Sequence, residues 1–151
     1  MRWLFSILVM FLILLWYFLS QHRINPWGVL YLLALVFIVF APLSINNFEI
    51  AVMPPGTGRV SLIVDLWHFS VLENVALTVP LGMLIKHYHP SWSLLLAGLI
   101  TGGVIETTQY VISHLWLLNR SSDINDVLAN ALGVIIGGII YWGYIKMIKN
   151  R

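Results

Sequence analysis

Acids and carboxamides recur at helical spacing in the second half of the chain. Asp123, Asp126, Asn130, Gly133 and Gly137 stand at i, i+3, i+7, i+10 and i+14. At 3.6 residues per turn, that is one face of one helix. Two stripes upstream repeat the arrangement: Asn74, Thr78 and Gly82, then Gly98, Gly102 and Glu106, with Gln109 one turn further. The carboxylates of Glu106, Asp123 and Asp126 are candidate ligands for a hard divalent cation. They are equally suited to capping free N–H groups at a helix start, where the dipole favours negative charge. Arg120 can clasp a phosphate or carboxylate through its planar fork, or pair with Asp123 or Glu106. Asn74 and Gln109 can bind a head group or hydrogen-bond neighbouring helices. Asp65 and His68, one turn apart, read as an acid–base pair or a surface-anchoring pair. Ser121 and Ser122 have no triad arrangement around them. His22, His87 and His89 fall in tight turns and carry no signal.

The elements that must position these groups are membrane helices. The chain has 151 residues, 60% hydrophobic and 9% charged, with mean hydropathy +0.89. A soluble domain of this size carries about 25% charged residues. Apolar runs near the length of a bilayer crossing complete the case for an integral membrane protein. Without cysteine there is no disulfide, thiolate nucleophile or thiolate metal site. The net charge of +2 comes with no basic face interleaved with aromatics, so nucleic acid is not an expected partner.

One all-α domain over residues 1–151 is expected, a polytopic bundle of about five spans near 3–20, 27–43, 66–85, 91–112 and 126–145. The first reads as an uncleaved helix rather than a signal peptide, because no small-residue cleavage site follows it. Arg23–Pro26 and Lys86–Pro90 read as tight turns. Residues 44–59 read as a loop with room for a short amphipathic piece at the bilayer surface. Asp65, His68, Glu73 and Asn74 are assigned to the first half of a third span that begins as early as Leu62. Gly98-xxx-Gly102 and Gly133-xxx-Gly137 are small-xxx-small pairs, and with Gly82 they mark faces where helices approach closely. Pro80 releases a carbonyl in the third span.

Five spans place Arg23, Lys86, Lys146, Lys149 and Arg151 on one side and Arg2, Arg59 and Arg120 on the other. Lys and Arg concentrate on the cytoplasmic side, which puts the N-terminus outside and the C-terminus inside. Every acid then falls in the outer half. Glu106, for example, lies roughly 24 Å of helix rise beyond Pro90, near the far surface of a core about 30 Å thick. A shared polar pocket at the outer end of the last three helices follows, lined by Asn74, Glu106, Gln109, Arg120, Asp123, Asp126 and Asn130.

The order and spacing of these groups resemble the VanZ-like family. Asn74-xxx-Thr78-x-Pro80-x-Gly82, then Glu106-xx-Gln109, then Arg120-xx-Asp123-xx-Asp126-xxx-Asn130-xx-Gly133-xxx-Gly137 follow its pattern over about residues 60–145. Thr78 departs from it, because that position is usually Phe. The resemblance implies a bacterial cell-envelope protein of the cytoplasmic membrane. It also implies an association with glycopeptide resistance, teicoplanin in particular. It does not supply a mechanism, and whether the chain is an enzyme stays open.

Three functions fit the residues. The first is binding of an anionic lipid head group, a lipid-linked saccharide or a lipoglycopeptide in the outer pocket. The second is a metal-assisted enzyme on a lipid phosphate, with Glu106, Asp123 and Asp126 holding the ion. The third is a small cation- or proton-coupled transporter, disfavoured by the few spans and the lack of an internal repeat. No cofactor beyond a divalent cation is suggested, and the expected partner is a membrane lipid or lipid-linked envelope molecule.

Overall fold

The computed structural model describes residues 2–20, 25–46, 49–65 and 67–150. Residues 23–24 of the expected Arg23–Pro26 turn, His22 just before them, the first residue of the span begun at 66, and the terminal Arg151 lie outside those residues. Five α-helices carry the fold among the described residues: α1 (Leu4–Leu19), α2 (Pro26–Phe40), α3 (Phe69–Tyr88), α4 (Leu94–Trp116) and α5 (Ile124–Lys149). The fold is mostly all-α. Helices α3, α4 and α5, of 20, 23 and 26 residues, are long and apolar enough to cross a membrane. Helices α1 and α2 are apolar but shorter, at 16 and 15 residues.

Two compact units divide the chain. One comprises residues 1–61 and 107–122, the other residues 62–106 and 123–151. In the first unit, Asn25 caps α2 by accepting from the Trp27 N–H at 2.9 Å, with Pro26 at the first helical position, where its missing N–H costs nothing. Aromatic rings join the helices: Phe5 of α1 meets Phe40 edge-on at 5.2 Å, and Trp3 stacks on Phe37 at 6.3 Å. Residues 43–52 differ from the expected loop. They form an antiparallel pair, β1 (Leu43–Asn46) and β2 (Glu49–Val52), with Leu43 opposite Val52 and Asn46 opposite Glu49. The signal was there: Leu43-Ser44-Ile45-Asn46 alternates apolar with polar.

The end of α4 is a second difference. The helix runs to Trp116, four residues past the expected 112. It stops where Leu117 takes φ 53° and, two residues on, Asn119 takes φ 63°. Left-handed backbone is costly for leucine, so neighbouring groups must hold it. Gly56 donates its N–H to the Leu117 carbonyl at 3.2 Å and accepts from the Asn119 N–H at 2.7 Å. Leu118, 1% exposed, anchors the turn. The neighbouring loop needs glycine: Gly58 has φ 71°, and a Cβ there would run into the Arg120 carbonyl.

In the second unit, α3 and α5 pack at backbone distance. A Cβ on Gly82 would strike the Val134 carbonyl, one on Gly137 the Val79 carbonyl, and one on Gly133 the Val75 carbonyl and the Thr78 hydroxyl. Gly98 and Gly102 of α4 face the backbone of Ala131 and Val127 in the same way. Helices in lipid gain little from hydrophobic exclusion, so such close approach supplies the dispersion contact that holds them. Gly103 and Gly143 meet nothing within 4 Å. About one turn beyond these contacts, His87 is not the silent turn residue expected from sequence. It sits in the last turn of α3, and its Nδ1 lies 2.6 Å from the Tyr141 hydroxyl of α5. His89 stacks on Trp92 at 4.3 Å.

Candidate functional site

The third span begins later than expected. Asp65 and His68 precede α3 instead of lying within it, because the backbone groups a helix would need are used elsewhere. Asn125 of α5 donates through Nδ2 to the Ile63 carbonyl at 2.8 Å and accepts the Asp65 N–H on Oδ1 at 2.8 Å. Asp65 in turn accepts the Trp67 N–H at 3.1 Å, an Asx-type turn that competes with helix. His68 then starts α3 from extended backbone, φ −98° and ψ 146°. His68 Nε2 lies 3.0 Å from an Asp65 carboxylate oxygen, and both side chains are exposed.

The polar layer of the second unit is built on the first turn of α5. Asp123 is its N-cap: Oδ1 accepts the Asn125 N–H at 2.9 Å and the Asn125 side-chain amide at 2.8 Å. The Asp123 N–H donates to Glu106 Oε2 at 3.0 Å, and Glu106 is buried at 7% exposure. Asp126, in the same first turn, lies close to the Asn74 carboxamide of α3 and feels the negative charge of Asp123. One turn deeper, the Thr78 hydroxyl lies 2.8 Å from the Asn74 carbonyl and 3.0 Å from the Asn130 carbonyl. Its single proton serves both, so threonine where the family pattern has Phe ties α3 to α5 through a polar contact. Asn74, Glu106, Asp123, Asp126 and Asn130 are thus linked through neighbouring groups from three helices.

Gln109 and Arg120 belong to the first unit and bond to α2 and the residues after it. Gln109 Nε2 donates to the Val39 carbonyl at 3.0 Å. Arg120 Nη2 donates to the carbonyls of Ile38 and Ala41, at 2.6 and 3.0 Å. These are carbonyls at the C-terminal end of α2, which lack helical partners and carry the negative end of the dipole. Ser113, fully buried, holds the Arg120 backbone: its hydroxyl lies 3.0 Å from both the Arg120 N–H and C=O. Arg120 therefore acts as a cap for α2. Arg120→Lys, which keeps the charge but loses the planar fork, is expected to lower stability by about 2 kcal/mol, the scale of a charge-assisted hydrogen bond. Unfolding in mixed micelles would show it, and an unchanged midpoint would contradict the capping role.

Sequence reasoning missed Asn125 and Ser113. Asn125 is 5% exposed yet lies off the polar stripe, and what calls for it is the backbone of residues 63–65, distant in sequence. Its only local signal was its place two residues after an N-cap. Among the described residues, no group of three His, Asp or Glu side chains is arranged to hold a metal ion. The carboxylates of Glu106 and Asp123 each accept a backbone N–H.

Three helices long and apolar enough to cross a membrane fit this chain to the class of polytopic membrane proteins. A family model described as VanZ/LLP1 matches residues 3–148, nearly the whole chain, and the protein belongs to that family. No curated protein and no solved structure gives a match.

Proposed function

We propose that this VanZ-like protein binds the sugar-bearing head group of an acylated or isoprenoid-linked envelope molecule, using the polar layer of its second unit. The observation that carries this reading is the gathering of Asp126, Asn74, Asp123 and Glu106 at the start of a helix long and apolar enough to cross a membrane. Three carboxylates and a carboxamide present mainly acceptors, which suit hydroxyl and ammonium donors and repel phosphate. Asp123, Asp126 and Asn74 are partly exposed, so a head group can reach them. Ionisable groups at membrane depth are costly and most often kept for function. The charge distribution of the loops supports an outward-facing layer in the bacterial cytoplasmic membrane. A lipid-linked saccharide and a lipoglycopeptide of the teicoplanin type share this chemistry, and the second would connect the site to glycopeptide resistance.

Binding to the protein in nanodiscs tests the reading, with an isoprenoid-linked disaccharide, teicoplanin and phosphatidylglycerol as separate arms. Asp126→Asn and Asn74→Ala are expected to weaken binding of the saccharide-bearing probes about tenfold each, the loss of about 1.4 kcal/mol of hydrogen bonding. Binding of the disaccharide alone would point to an envelope lipid, and of teicoplanin alone to a lipoglycopeptide. Preference for phosphatidylglycerol, or wild-type binding by both variants, would refute the reading. A stoichiometric divalent ion lost on Asp126→Ala would replace it with metal-assisted chemistry.

A further inference from the structure

The segment that leads into α3 exposes more apolar surface than its polar surroundings explain. Leu62 and Ile63 are each 78% exposed, Val64 61%, Trp67 97% and Phe69 74%. Single exposed apolar residues are ordinary, but a contiguous run marks a contact with a partner or a membrane. We propose that residues 62–65 and 67–69 form a wedge that inserts into the head-group boundary of the bilayer at the start of α3.

Three observations select lipid as the occupant. The first is continuity: Phe69 and Leu72, 74% and 64% exposed, carry the same apolar surface onto α3, a helix able to cross the membrane. The second is the backbone. Non-helical chain survives near hydrocarbon only where its polar groups are satisfied internally. Here the Ile63 carbonyl and the Asp65 N–H are both taken by buried Asn125, and the Trp67 N–H by Asp65. The third is the order of residue types. Trp67 has a large apolar ring and one N–H, the combination that favours the interface. The exposed Asp65–His68 pair beside it supplies a polar edge that stays with the head groups. This wedge lies on the same unit as the polar layer, but it does not depend on what that layer binds.

The chain contains no cysteine, so single-cysteine variants report one position each. Trp67→Cys and Ile63→Cys would be labelled with an environment-sensitive fluorophore in liposomes. Leu99→Cys, on α4, serves as the lipid control and Ser121→Cys, in an exposed turn, as the aqueous one. Labels at 67 and 63 are expected to emit to the blue of the label at 121. They should be quenched by lipids with a nitroxide near the head group, be shielded from aqueous iodide, and behave alike at every protein-to-lipid ratio. Quenching by iodide and not by nitroxide lipid would overturn the proposal. So would shielding from both quenchers that disappears on dilution into more lipid, because that pattern means a second copy covers the segment. Loss of saccharide binding leaves these readouts unchanged, so the two readings fail separately.

Discussion

Asn125→Leu is expected to release residues 62–68 from the start of α5 and to destabilise the second unit by roughly 3 kcal/mol. The figure follows from three side-chain hydrogen bonds at about 1 kcal/mol each. Those bonds run to the Ile63 carbonyl, the Asp65 N–H and the Asp123 carboxylate. Leucine is close in size to asparagine, so the change removes polar contacts without opening a large cavity. The freed groups of residues 63 and 65 must then find water, which would draw the segment away from α5. Asn125→Asp is the informative companion. It keeps an acceptor for Asp65 but loses both donated bonds and sets a second charge beside Asp123, so it should also destabilise, through a different balance. Hydrogen exchange at residues 63–68 is expected to rise in both variants, with a lower unfolding midpoint in mixed micelles. Wild-type exchange in Asn125→Leu would show that the segment is held by something else.

The second large effect is expected at the glycines between α3 and α5. Gly82→Ala and Gly137→Ala each place a methyl group against a carbonyl of the opposite helix, Val134 and Val79 respectively. Backbone cannot rotate aside as a side chain can, so the helices must separate. Overpacking of this kind costs about 1–3 kcal/mol, and the double variant loses most of the close contact. Gly103→Ala and Gly143→Ala supply the contrast. Nothing stands within 4 Å of either position, and alanine is the better helix former by about 1 kcal/mol. These two variants should be neutral or slightly stabilising. If all four glycines responded alike, the effect would be one of helix propensity and the interhelical account would fail.

The two predictions bear on the polar layer together. Glycine contacts bring α3 against α5 closely enough for Asn74 to reach Asp126 and for Thr78 to bridge to Asn130. Asn125 and Asp123 fix the first turn of α5 and, through the Asp123 N–H, the position of Glu106. A variant that fails to bind saccharide is therefore informative only when its unfolding midpoint is unchanged. Asp126→Asn meets that condition best, because Asp126 is partly exposed and the change preserves its shape.

Much of this was legible in the sequence, and the reason is periodicity. Apolar runs near bilayer length require helices, since only a helix satisfies its own backbone in lipid. Acids and glycines at helical spacing assign Asp123, Asp126, Asn130, Gly133 and Gly137 to one face, and the family pattern follows from the same spacing. Tertiary structure alone decided what those faces meet. Arg120 offered no hint in the sequence of the carbonyls of Ile38 and Ala41, far away in the chain, to which its Nη2 donates. Asp65 and His68 looked helical, but Asn125, sixty residues from Asp65, takes the Ile63 carbonyl and the Asp65 N–H. A residue's neighbours along a helix are fixed by local geometry, but the partner of a hydrogen bond is fixed by which distant backbone group is left unsatisfied. That choice is made only when the chain has folded.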